Sequence, residues 1–305
     1  MQTMSSQDTS PRQAPVAPPD LLIRSFGLTD PGRNRQTNED QFLIAELTKT
    51  MHIVQTSLSS PSAIHGEQRG HLFLVADGMG GHNAGEEASR LVVASIEAFT
   101  VDALKWFLQP DDPPAESAAA EFTAAVQEAD RVVIGEAEHN PALHGMGTTL
   151  TLGYVVNSQL SVIHVGDSRA YLYRHGTLTQ LTKDHSFVAD LVRAGALRPD
   201  EARRHPLRHV ITNVVGGTAP GVRAESHTID LQAQDDLLLC SDGLTDMVSA
   251  DEIEAVLAEA AGPEAACRQL VDLANDHGGH DNVTVIIAQF RPSESARPGR
   301  AELAL

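Results

Sequence analysis

The chain has 305 residues, 41% of them hydrophobic, and 41 acidic against 22 basic side chains give it a formal net charge of -19. A core of ordinary size is within reach, and so much negative charge repels phosphate backbones, which excludes nucleic acid as the expected partner. Two cysteines, Cys240 and Cys267, are too few for a disulfide framework and point to a reducing, cytoplasmic setting. No stretch reaches the roughly 20 apolar residues of a membrane helix, and the N-terminus lacks a secretory pattern, so a soluble protein with no membrane partner is expected.

Residues 1–20, rich in Ser, Gln, Pro and Thr, and the stretch 292–305 read as tails around one domain over 21–291. Gln41-Phe42-Leu43-Ile44 and Leu72-Phe73-Leu74-Val75-Ala76 read as strands, with a surface excursion over 48–70 between them. Ala88, Leu91, Val92, Ser95, Ile96 and Phe99 fall on one stripe of a helix that starts near Ala84, and a second helix is expected over Ser117–Glu138. Thr148–Val156, Leu160–Val165 and Arg169–Tyr173 are β-rich runs divided by Asn157-Ser158 and Gly166-Asp167-Ser168, the pattern of an antiparallel meander. Arg174-His175-Gly176 matches a short histidine-phosphatase signature, but the flanking runs make it a hairpin turn. Ser186–Arg204 reads as helical, Asp236–Cys240 and Val283–Phe290 as buried strands, and Asp251–Asp276 as two more helices. Blocks of helix and antiparallel strand together predict an α+β sandwich.

Carboxylates placed where a predicted strand meets glycine can point into a cleft instead of solvent. Four places have this form: Asp77-Gly78, Gly166-Asp167, Asp242-Gly243 and Gly279-His280-Asp281-Asn282. Asn38-Glu39-Asp40 leads into the first strand and makes a fifth. One Asp-Gly pair is ordinary turn chemistry, but five converging carboxylates would repel one another unless cations neutralised them. Oxygen-only ligands select hard ions such as Mg²⁺ or Mn²⁺ over zinc. Two such ions acidify a shared water and suit phosphoester hydrolysis. Arg35, four residues before Glu39, would add a planar fork for phosphate oxygens.

Thr29 to Asp40, Val75-Ala76-Asp77-Gly78-Met79-Gly80-Gly81-His82, Gly145-Met146-Gly147-Thr148-Thr149, Val165-Gly166-Asp167-Ser168-Arg169, Ser241-Asp242-Gly243-Leu244 and His280-Asp281-Asn282-Val283-Thr284 together resemble the ordered motifs of the type 2C, metal-dependent (PPM) serine/threonine protein phosphatases. The Met-Gly-Gly-His variant is similar to the bacterial branch. The resemblance covers about residues 24–290. It implies a four-layer α-β-β-α sandwich with two central, mainly antiparallel sheets, and two or three Mn²⁺ or Mg²⁺ ions at one end. It implies that Asp77 bridges two ions, that Asp242 and Asp281 complete the first ion's protein ligands, and that Glu39 and the Gly78 carbonyl serve the second. Asp40 and Asn282 would stand behind these ligands, with Asp40 holding waters; Arg35 would grip the phosphate; Asp167 and Asp242 would hold the third ion. The flap beside the site would be residues 186–217, where Arg193, Arg198, Arg203, Arg204 and Arg208 could meet a substrate. Animal relatives carry a His directly after the Asp-Gly pair; Met79 stands there in this chain, and His82, the nearest imidazole in sequence, reads equally as a helix cap.

The activity implied is hydrolysis of phosphoserine and phosphothreonine in proteins, with phosphorylated proteins and a bacterial serine/threonine kinase as partners. Two competing readings are a catalytically silent phosphoprotein- or kinase-binding protein and a small-molecule phosphoesterase. Cysteine-phosphatase chemistry is excluded, because Asp246 and Leu273, not arginine, stand six residues after the two cysteines. His205 and His209 have an i, i+4 spacing that could bind zinc, but Pro206 intervenes and no third His or Cys is close in sequence, so a structural or flap role is expected.

Overall fold

A strand that is apolar at every position, such as Leu72 to Ala76, is stable only if both of its faces are covered. The structure, a computed structural model, describes residues 21–49, 68–80, 84–107, 114–156, 158–218 and 221–293, and shows what covers them. The expectations for the tails, for most of the 48–70 excursion and for His82 lie outside the described residues. In β3 (Gln68–Met79), Leu72, Leu74 and Ala76 pack with the buried stripe of α1 (Ala84–Phe107) and with Phe122 and Val126 of α2 (Pro114–His139). Phe73 and Val75 face the other way, into a core shared with a second sheet.

That second sheet repeats the pattern. In β11 (Asp236–Cys240) and β12 (Val283–Pro292), Leu237, Leu239, Ile286, Ala288 and Phe290 face the shared core. Leu238, Cys240, Val285 and Ile287 face outward, onto Ile253 and Leu257 of α6 (Ala250–Glu259) and Leu270 and Val271 of α7 (Pro263–Asp276). The layers are therefore α-β-β-α, as the resemblance implies. Cys240 and Cys267 are buried free thiols in the outer core.

This second sheet has the order β1 (Leu21–Asp30), β12, β11, β7 (Arg169–Arg174), β8 (Thr177–Gln180). The other runs β10 (Glu225–Asp230), β6 (Gln159–Val165), β5 (Leu150–Val156), β3, β4 (Gly147–Thr148), β9 (Val215–Gly216), with β2 (Asp40–Lys49) also paired to β3. All of these pairings are antiparallel. His175 and Gly176 both have positive φ, 52° and 80°, and close the expected β7–β8 hairpin.

Two expectations are corrected. The runs from 148 to 173 are not one meander: β5 pairs β6, but β7 pairs β11 and β8, so the chain changes sheets at Gly166-Asp167-Ser168. Alternation alone cannot tell a hairpin turn from a crossing between stacked sheets. The predicted helix over 186–204 is two short ones, α3 (Phe187–Arg193) and α4 (Pro199–Ala202), because Gly195 leaves helical geometry at φ +71° and Pro199 can only begin a new helix. Strands β1 and β10 were not predicted, since polar residues dilute their apolar signal. Among the described residues, no helix is long and apolar enough to cross a membrane.

Candidate metal centre

Asp77 lies two residues past Val75 on β3, so strand alternation turns its side chain toward the gap between the sheets. Its register partner on β2 is Asp40. The Asp77 backbone is fixed from three directions: its N–H donates to Thr149 Oγ1 at 3.0 Å, and its carbonyl accepts from Thr149 N at 2.9 Å and Thr148 Oγ1 at 2.8 Å. Gly78 has to be glycine, because a Cβ there would meet the Gly85 carbonyl oxygen at 2.1 Å and the Glu39 carbonyl oxygen at 2.7 Å. That contact packs the start of α1 against the Glu39 loop.

At the same end of the other sheet, Asp242 follows β11 and opens the one-turn helix α5 (Asp242–Thr245), while Asp281 precedes β12. Asn282 ties this end to the Arg35–Glu39 loop. Its Oδ1 accepts from Glu39 N at 2.8 Å, and its Nδ2 donates to the carbonyls of Thr37 at 2.9 Å and Pro31 at 3.1 Å. The sheet-crossing turn adds Asp167, whose neighbour Ser168 hydrogen-bonds Thr149 at 2.7 Å. Arg35, Glu39, Asp77, Gly78, Asp167, Asp242 and Asp281 thus line one cleft of about 1690 Å³. Asp40 does not line it. It is buried behind Asp77, with Oδ2 accepting from Ser241 Oγ at 2.8 Å and Thr284 Oγ1 at 2.7 Å.

The carboxylates are crowded enough to hold protons. Burial, reinforced by repulsion from Asp40, Asp242, Asp167 and Asp281, raises Asp77 well above the usual carboxylate range. Asp242 is raised in the same way by burial and by Asp167, Asp246, Asp281 and Asp40. Burial pushes Asp40 up to about 6 and Asp167 up to about 7, and it raises Glu39. Among the described residues, the cation paired directly with a member of the group is Arg35, whose Nη2 donates to Asp281 Oδ2 at 2.7 Å. Asp40 Oδ1 and Asp167 Oδ1 are buried without a hydrogen-bond partner among the described residues. Orphaned carboxylate oxygens, mutual repulsion and oxygen-only donors fit hard divalent cations and their waters.

A second group comes from the flap. His209, Asp242 and Asp246 bring ligand atoms within 4.8 Å of one another, a His/Asp/Asp site able to hold a metal ion. Asp246 reaches it because Asp246 N closes the α5 turn on the Asp242 carbonyl at 2.8 Å, and His209 Nδ1 lies 3.7 Å from Asp246 Oδ2. His205 goes elsewhere: its Nδ1 accepts from Leu207 N, and its ring lies beside Phe187. Sequence reasoning tested His209 only against other His and Cys. The available signal was Asp246 at i+4 from Asp242, but the flap's approach could not be read from spacing. The flap root is tied to the metal side as well: His185 N donates to the Gly166 carbonyl at 2.7 Å, and Gly166 N donates to His185 Nδ1 at 3.1 Å.

The profile of the family described as Protein phosphatase 2C matches residues 55–296, most of the chain. The chain belongs to the protein phosphatase 2C family. Within this family it is 42% identical over 217 residues to the serine/threonine protein phosphatase PstP of Mycobacterium tuberculosis, which covers 71% of this chain but only 40% of PstP. Against the serine/threonine phosphatase stp of Listeria monocytogenes it is 34% identical over 269 residues, or 88% of this chain and 96% of that protein. Its fold matches a crystal structure of the PstP catalytic domain in complex with two manganese ions at a TM-score of 0.70, with 34% identity, covering 89% of this chain and all of that one. The α-β-β-α layers and the acidic cleft between the sheets are thus the form in which this phosphatase 2C chain folds.

Proposed function

We propose that the chain hydrolyses phosphoserine and phosphothreonine in proteins, with Mn²⁺ or Mg²⁺ held by Asp77, Asp242, Asp281, Glu39 and the Gly78 carbonyl, and a further ion at Asp167 and Asp242. The observation that carries this reading is the convergence of five mutually repelling carboxyl side chains, from five distant stretches of chain, on one cleft. Divalent ions bound there supply an acidified water close to the phosphorus atom. The protein's own part is placement. Asp77 is held by Thr148 and Thr149, Asp40 stands behind it with one oxygen free for a bound water, and Asn282 fixes the Glu39 loop. Arg35 is half-exposed at the cleft edge, and its remaining N–H groups suit the non-bridging oxygens of a phosphate. Met79 also lines the cleft and has no proton to give, so the leaving group must take its proton from another group in the cleft.

A cleft of about 1690 Å³ exceeds the ~300–1000 Å³ of ordinary small-molecule pockets. That favours a protein segment over a small phosphometabolite. A silent binding module has no use for carboxylates that raise one another's proton affinity. The same reading makes the products of a serine/threonine kinase the substrates, in a reducing compartment suited to two buried free thiols.

Asp77→Asn is expected to lower Mn²⁺-dependent turnover of a phosphothreonine peptide by about a thousandfold or more, since it removes a central carboxylate that would hold the ions. Near-normal turnover would overturn the metal assignment. Arg35→Ala is expected to raise KM more than it lowers kcat, and an unchanged KM would remove Arg35 from the phosphate site.

A further inference from the structure

Among the described residues, six lysine and arginine side chains line the cleft: Arg35, Arg169, Lys183, Arg193, Arg203 and Arg208. Three are already committed to carboxylates. Arg35 pairs with Asp281, Arg169 with Asp184 in a bidentate contact, and Arg193 with Asp190. Lys183, Arg203 and Arg208 are exposed and make no ion pair among the described residues. In a chain with a net charge of -19, where carboxylates outnumber basic side chains 41 to 22, three such cations share one cleft. Elsewhere on the surface four arginines pair with acids close in sequence, Arg90 with Glu87, Arg131 with Glu128, Arg198 with Glu201 and Arg268 with Glu264, while Arg24, Arg33, Arg204 and Arg223 are exposed without an ion pair among the described residues but do not line the cleft.

The unpaired cations also sit beside the chemistry. Arg208 immediately precedes His209, whose ring nitrogen lies within 4.8 Å of carboxylate oxygens of Asp242 and Asp246. Lys183 immediately precedes Asp184, the partner of Arg169, on the stretch that leads into His185 and the flap root. A substrate segment whose phosphate reaches Asp77 and Asp242 therefore runs past these three side chains. Carboxylates a few residues from the phosphate are the complement that such a rim lacks.

We infer that Lys183, Arg203 and Arg208 form a specificity rim that selects phosphoserine or phosphothreonine flanked by acidic residues. The inference rests on the hydrolysis reading above and deepens it by naming a substrate class. Charge complementarity at an exposed rim acts on encounter and on KM rather than on the bond-breaking step, and it weakens with salt.

The test uses two phosphothreonine peptides that differ only in three flanking Asp or Asn residues, assayed with the full chain and Mn²⁺. Exposed ion pairs are weak singly, so three together are expected to give about a tenfold advantage in kcat/KM to the acidic peptide at low salt, shrinking at 0.5 M salt. In Lys183→Gln/Arg203→Gln/Arg208→Gln the ratio should fall to within about twofold of unity. Arg203→Glu/Arg208→Glu should invert it, an outcome that loss of folding cannot mimic. Equal kcat/KM for the two peptides with the unaltered chain, or a ratio that survives all three substitutions, would overturn the rim. If neither peptide is hydrolysed, the phosphatase reading fails. The rim is then judged by fluorescence anisotropy with the same peptides, where a preference for the acidic one supports it and equal binding sinks it.

Discussion

Around Asp77 and Asp40, polar atoms are fixed by partners remote in sequence: Thr149 is 72 residues from Asp77, and Ser241 and Thr284 reach Asp40 across 201 and 244 residues. In the flap the partners are mostly neighbours, Arg193 with Asp190 and Arg198 with Glu201, each three residues apart. Long-range partners make the mouth of the sandwich part of the global fold, so it opens only when the fold opens. Local pairs give the flap its own short helices, and its hydrogen bonds to the body gather at its two ends: His185 N on the Gly166 carbonyl at the start, and at the finish Gly216 N on Asp130, Gly217 N on the Met146 carbonyl and the β9–β4 pairing. Such a segment opens at lower free energy than the core. A rigid set of carboxylates beside a more loosely held wall of the cleft is the division that follows.

Glycine substitutions break the comparison most sharply. Gly78→Ala would drive a Cβ onto two backbone carbonyls, which cannot yield, and is expected to cost about 3 kcal/mol or more by urea denaturation. Gly195→Ala in the flap meets open space and loses only the ease of its positive φ, about 1 kcal/mol. Equal losses would mean that the mouth is no more rigid than the flap.

Next in size is the pH response of the crowded carboxylates. Asp167 titrates near 7 in the folded chain and near 4 when unfolded. The folded state binds the extra proton between those values, so this group's contribution is full below about pH 4 and is lost as pH rises through about 7. His164, buried and pushed down to about 3, tilts the profile the other way below about pH 6.5, so the informative quantity is a difference. In EDTA, Asp167→Asn should gain on the unaltered chain as pH rises from about 4 to 8, on the order of 3 kcal/mol. Excess Mn²⁺ should cancel that gain. A difference that does not change with pH would show that burial does not hold a proton on Asp167.

The smallest effect sharpens the boundary between the two regions. His209→Ala removes the flap's imidazole from the His/Asp/Asp group, and calorimetric titration should show the weakest Mn²⁺ event weakened about tenfold with tighter events unchanged. Weakening of every event alike would make His209 part of the rigid centre.

The strand and helix periods, the fully covered strands Leu72–Ala76 and Asp236–Cys240, and the Asp-Gly turns that end them are legible along the chain before it folds. These are local signals: alternation, helical stripes and turn chemistry survive without knowing what packs on what. The motif resemblance then supplied the layer order and named each carboxylate that the cleft brings together. The folded chain alone shows that the chain changes sheets at Asp167, that Thr148 and Thr149 hold the Asp77 backbone, and that His209 closes on Asp246 while Lys183, Arg203 and Arg208 make no ion pair among the described residues. Each of these joins residues whose separation along the chain carries no periodic trace, so the physical cause, the stacking of two sheets with a loop folded over their edge, exists only once the chain has folded.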